Sequence, residues 1–190
     1  MLRFLAKLYW NLTGWKVVGE FPHEIKKMVI IVAPHTSWKD LLVGFAVRNK
    51  LKIEHAHFLG KKELFSGPFG SLFRGLGGIP VDRSSKSRHG IVEQAVSLFA
   101  NNEIFILAVA PEGTRKQVKK LRTGFYQIAS KANVPVVPFG FDFENRQVLI
   151  EAPFFVTGNE ENDLKKIISF FAPIKGKNPA FDLHHLRVVK

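Results

Sequence analysis

Short apolar runs that alternate with amphipathic stretches set the strongest limit on how this chain can fold. The longest are MVIIVAP from Met28, LLVGFAV from Leu41 and IFILAVAP from Ile104. Each has the length of a core strand or core helix, and none approaches the ~18 apolar residues of a membrane-spanning helix. Hydrophobic period and Gly/Pro punctuation predict strands at 28–33, 53–59, 103–109, 135–142 and 146–151. Helices are expected at 37–50, 67–76, 87–101, 122–132 and 160–171. Parallel strands need crossovers long enough to hold a helix, so this alternation predicts an α/β sandwich: a mostly parallel or mixed sheet flanked by helices. The length suits one domain over 1–190, with its motif-bearing core at about 28–151. Sites in such sheets lie where strands end and helices begin. That rule selects two loops, Ala33–Asp40 and Ala110–Lys120.

The first loop reads PHTSWKD from Pro34. Ser37 and Asp40 fit the S-x-x-[DE] pattern of a capping box ahead of an apolar helix. That reading leaves His35 unexplained. Five residues of helix turn through about 500°, so His35 and Asp40 can meet only if His35 precedes the helix, on extended chain. The cap would put it there. Asp40 could then hold one imidazole nitrogen while the other removes a proton. Capping and catalysis are both open at this point.

The second loop, PEGTRKQVKK from Pro111, follows a strand, contains Gly113 and starts a run of cations from Arg115 to Lys131. It suits a phosphate, or it is an ordinary solvated basic loop. A third stretch, GLGGIPVDRSSKSR from Gly75, combines three glycines with Pro80 and Arg83 and reads as a turn-rich connection. His55 and His57 would point to one side of a strand, but no third ligand accompanies them, and no metal site is expected.

Composition narrows the partners. The net charge is +12 and the pI about 10.0, so the surface attracts polyanions: nucleic acid, an anionic membrane or phosphorylated substrates. With 18 Phe and two Tyr, and no RNP1-like run, zinc-finger spacing or zipper, lipid is favoured and no nucleic acid is expected. Cysteine is absent, which removes disulfides, a thiol nucleophile and thiolate ligands. The stretch 1–15 is no good signal peptide, because Arg3 and Lys7 interrupt it. It reads as an amphipathic helix. Leu2, Leu5, Leu8 and Trp10 or Trp15 could enter a membrane interface, with Arg3 and Lys7 near lipid phosphates. Phe65, Phe69 and Phe73 form a second apolar candidate.

Four blocks in order resemble the glycerolipid acyltransferase family, whose best-known member is lysophosphatidic acid acyltransferase. Pro34-His35-Thr36-Ser37-Trp38-Lys39-Asp40 matches its N-H-x-S-x-x-D block. Gly77-Gly78-Ile79-Pro80-Val81-Asp82-Arg83 matches G-x-I-x-x-x-R. Glu112-Gly113-Thr114-Arg115 matches E-G-T-R, and Val134-Pro135-Val136-Val137-Pro138 matches V-P-x-x-P. A family-like KKEL stands at Lys61–Leu64. The sequence departs from the pattern at Pro34, where the family has Asn, and at Lys116, where Ser is usual.

The resemblance implies a glycerol-3-phosphate acyltransferase-like fold and transfer of a fatty acyl group from acyl-ACP or acyl-CoA to a lysolipid hydroxyl. The acceptor it implies is 1-acylglycerol-3-phosphate, giving phosphatidic acid. His35 would be the base and Asp40 its partner. Arg83 and Arg115 would hold the phosphate, with Glu112, Gly113 and Thr114 shaping the pocket. Backbone N–H groups at Gly78 and Ile79 would face the oxyanion. No cofactor is implied beyond the thioester co-substrate. The partners implied are acyl carrier protein or acyl-CoA, the lysolipid and an anionic membrane surface, met as a peripheral protein on the cytoplasmic side. Two other readings stand beside this one. The acceptor could be a lyso-aminolipid, or the chain could be a non-catalytic basic domain that binds membrane or nucleic acid.

Overall fold

The computed structural model describes residues 2–81 and 88–186. Helix α1 (Leu2–Thr13) leads into β1 (Lys16–Val18), β2 (Lys27–Ala33), α2 (Lys39–Lys50) and β3 (Ala56–Lys61). Two short helices, α3 (Glu63–Ser66) and α4 (Gly70–Gly75), precede β4 (Gly78–Val81) and α5 (Arg88–Asn101). Then come β5 (Phe105–Val109), α6 (Gly124–Ala132), β6 (Val136–Asp142), β7 (Gln147–Ile150) and α7 (Glu160–Phe171).

The strands form one sheet in the order β1-β7-β6-β2-β5-β3-β4. All neighbours are parallel except β6 and β7, which are antiparallel. That pair is joined by only a short turn, which suits a hairpin and cannot hold a crossover helix. The chain is thus the α/β sandwich that the alternation predicts.

The central strands are apolar on both faces because both faces are covered. Val29, Ile31 and Ala33 of β2 face a layer with Phe99 of α5, Phe125 of α6 and Phe171 of α7. Met28 and Ile30 face the other layer, with Val43 and Val47 of α2 and Trp10 of α1.

The structure corrects several boundaries. The strand expected at 53–59 starts at Ala56 and runs to Lys61. Strands β1 and β4 and helix α3 were not anticipated; each is too short to show a period. The glycine-rich stretch from Gly75 is partly strand, with Gly78 opposite Phe58 and Ile79 opposite Leu59.

The expectation that Trp10 or Trp15 enters lipid fails. Both are buried, and the Trp15 ring meets Phe143 edge-on at 5.0 Å. Helix α1 has two apolar faces, and the one carrying Ala6 and Trp10 packs on the domain. The other, with Phe4, Leu5, Leu8 and Leu12, stays exposed, up to 76 % at Leu12. The side chain of Leu2 lies outside the described ones. Phe65 is buried and Phe73 half-buried, which leaves only Phe69 of that trio exposed.

Candidate active site

Register brings the two selected loops together. Strands β2 and β5 are parallel neighbours with Ile31 opposite Val109. The chain therefore leaves both strands at the same end of the sheet, and His35 and Glu112 emerge side by side. The His35 N–H donates to Glu112 Oε1 at 2.7 Å, a contact between residues 77 apart in sequence. In this loop Pro34 is buried and its peptide bond with Ala33 is cis.

His35 stands ahead of the helix, as the five-residue spacing requires. Its Nδ1 lies 3.0 Å from Asp40 Oδ2. The same carboxylate oxygen accepts the Ser37 N–H at 2.9 Å. This is the backward half of a capping box. The forward half is displaced: α2 begins at Lys39 with Trp38 at its N-cap position, and Ser37 Oγ accepts the Lys39 N–H at 3.2 Å instead of the Asp40 N–H. The helix start and the His35 ring thus share Asp40.

The pair has a defined polarity. Asp40 as a carboxylate can only accept, so it fixes the imidazole with its proton on Nδ1 and leaves the Nε2 lone pair free. The His35 side chain is 24 % exposed and that of Asp40 only 2 %. A substrate can therefore reach the ring while the carboxylate stays dry. Tyr9 of α1 lies within the field of this carboxylate. Burial raises its hydroxyl above the ordinary range, and Asp40 adds to the rise.

Glu112 is a second buried carboxyl beside the same histidine. Burial pushes it up to about 7, against the opposing effect of the His35 N–H, and Asp40 raises it further. Its Oε1 is bonded; Oε2 is buried with no protein partner, as is Asp40 Oδ1. The folded chain therefore binds a proton at Glu112 more tightly than the unfolded chain does. The stability this supplies is complete below the ordinary value of 4.5 and is lost as pH rises through about 7. The shift corresponds to about 3 kcal/mol at most. Thermal melts of Glu112→Gln should lose this slope between those pH values, whereas a wild-type slope in the variant would show that another group is responsible.

Gly113 follows in a turn closed by its N–H on Ala110 O at 3.1 Å. Its φ is +64, a backbone conformation that favours glycine, and a Cβ there would stand 2.7 Å from the Arg122 side chain. Arg122 was not singled out by the sequence; only its placement across Gly113 shows that it borders the site. Thr114 Oγ1 accepts the Lys116 N–H at 3.4 Å, and Arg115 is exposed at the rim.

Gly78 and Ile79 are in β4, the edge strand, with β5 and β3 between it and β2. Arg83, with Asp82, lies outside the described residues. His57 is occupied: its Nδ1 lies 3.2 Å from Gly77 O and its ring stacks on Phe105. Among the described residues, no group of three or more His, Asp or Glu is placed to hold a metal ion.

A base with a buried carboxylate behind it, at the mouth of two strands and beside exposed cations, can deprotonate a hydroxyl. A family model described as Acyltransferase matches residues 15–142, more than half of the chain and all four motif blocks. No curated protein matches the chain.

Proposed function

Because the chain belongs to the acyltransferase family, we propose that it transfers a fatty acyl group from acyl-ACP or acyl-CoA to the free hydroxyl of a lysolipid, 1-acylglycerol-3-phosphate first among them. The observation that carries this reading is the His35–Asp40 pair, with Nδ1 held and the ring partly exposed. The acceptor oxygen attacks the thioester carbonyl carbon while His35 Nε2 takes its proton. The tetrahedral intermediate collapses, the C–S bond breaks, and the imidazolium returns the proton to the departing thiolate. The products are an ester and a free carrier thiol. No acyl-enzyme is required, and Ser37 keeps its structural bonds throughout.

A phosphorylated acceptor is supported by the basic loop after β5. Arg115 is exposed, and nothing from Gly113 to Phe141 is acidic. A charge-assisted hydrogen bond is worth roughly 1.5–3 kcal/mol, or about ten- to a hundredfold in affinity. Arg115→Ala and Arg83→Ala should therefore raise KM for 1-acylglycerol-3-phosphate by that factor and leave KM for the thioester nearly unchanged. Purified enzyme offered a panel of lysolipids tests the choice. Faster turnover of a phosphate-free lyso-aminolipid, indifferent to both arginines, would replace the acceptor proposed here.

Reaching such a substrate requires a membrane surface. Among the described residues no helix is long and apolar enough to cross a bilayer. Peripheral attachment on the cytoplasmic side, where thioester donors are made, is the mode we propose. The exposed stripe of α1 supplies apolar contact, with Trp38, 59 % exposed beside the catalytic pair, as a further point. Burying one leucine is worth about 1.5 kcal/mol or more, so Leu8→Glu and Leu12→Glu should each weaken binding to anionic vesicles about tenfold. Salt should weaken binding further. Co-sedimentation that ignores both the substitutions and salt would remove α1 as the anchor.

A further inference from the structure

We propose that Ile174–Leu186, beyond the stretch matched by the family model, is a strap that holds the His35 loop in place, with Thr36 and Asp182 as positioning residues. Its effect on rate rests on the acyl-transfer reading above; its effect on the geometry of His35 does not.

Thr36 follows His35 in a loop, yet it is 6 % exposed. Its Oγ1 accepts the Asn178 N–H at 3.0 Å, across 142 residues of sequence. His35 is thus pinned on both sides. Its own N–H is held by Glu112, the next side chain is held by Asn178, and the ring between them rests on Asp40.

The strap is built for this contact. Asp182 is fully buried, and its Oδ1 accepts the Gly176 N–H at 2.8 Å. A Cβ at Gly176 would stand 2.7 Å from Thr36 Oγ1, 2.8 Å from Asp182 Oδ1 and 2.9 Å from Thr36 Cγ2. Only glycine lets the strap approach this closely. Ile174 and Leu183 anchor it in the core, and Lys175 O accepts the Phe143 N–H at 2.8 Å at the end of β6. Its far end reaches the other site loop. His185 Nδ1 lies 2.9 Å from Asp182 O and its Nε2 lies 2.7 Å from Val118 O. One short segment therefore touches the loops that carry both His35 and Glu112.

The test pairs Thr36→Val, which removes the acceptor and keeps the shape, with Thr36→Ser, which keeps the oxygen. Gly176→Ala, which keeps every hydrogen-bonding atom, is the second probe if the valine variant does not fold. A displacement near 1 Å costs about a hundredfold in rate. Thr36→Val and Gly176→Ala should therefore lower kcat about a hundredfold with KM for both substrates little changed, and Thr36→Ser should recover most of the rate. A readout independent of turnover is the downfield proton resonance of His35 Nδ1–H, identified by its absence in His35→Ala. It should move or broaden in Thr36→Val and Gly176→Ala and return in Thr36→Ser. An unchanged resonance in the first two overturns the strap, whatever reaction the enzyme performs. A shifted resonance in an enzyme whose His35→Ala form still turns over keeps the strap and removes His35 as the base of the proposed reaction instead.

Discussion

His35→Ala is expected to fold and to lose turnover, by about 10²–10⁴ in kcat. The ring is partly exposed and contributes little to the core, so its removal costs packing of only a few contacts. What disappears is the imidazole whose Nδ1 is held by Asp40 and whose ring is partly exposed. An uncharged hydroxyl is a poor nucleophile toward a thioester at neutral pH, and no other described side chain in the site combines an accessible lone pair with a buried carboxylate behind it. Circular dichroism and product formation, measured on the same preparation, check both halves. Near-normal product formation would take the base away from His35.

Asp40→Asn is expected to be nearly as damaging, with a loss of about 10²–10⁴, the range set by the base it serves. One oxygen, Oδ2, accepts both the Ser37 N–H and the His35 Nδ1–H. An asparagine that keeps its oxygen there preserves both bonds. It then buries its amino group where Oδ1 now lies without a protein partner. It also lacks the negative charge that stabilises the imidazolium as the proton arrives. The flipped amide is worse, because it points a donor at two donors. The melting temperature should drop modestly, and kcat should fall with little change in KM. A variant with wild-type kcat would mean that Asp40 serves only the helix start, as its bond to the Ser37 N–H would allow.

The fold was legible where burial is two-sided. Strands β2, β5 and β6 are continuous apolar runs because helices cover both faces, and the two loops that the strand-end rule selects, after β2 and β5, meet through the His35 N–H and Glu112. Spacing required His35 to precede the helix if it was to meet Asp40, and the motif resemblance supplied the pairing. Other features depend on contacts that no local pattern carries. Strands β1 and β4 have three and four residues, and each exists only as an edge on a neighbour. Helix α1 is apolar on two faces, so its pattern could not say whether Trp10 packs inward or enters lipid. Glu112 was visible as part of a motif, but its bond to the His35 N–H needs the β2–β5 register. The strap from Ile174 joins Thr36 across most of the chain, and nothing near Thr36 announces it.

The central claim is that the acceptor hydroxyl, deprotonated by His35, attacks the thioester directly while both substrates are bound. Initial rates over a grid of thioester and lysolipid concentrations test it most directly. Reciprocal plots that intersect, the pattern of a ternary complex, are expected. Parallel lines would contradict the claim, because they signal an acyl-enzyme formed before the acceptor arrives, with Ser37 of the His35 loop the first hydroxyl to test as the acyl carrier.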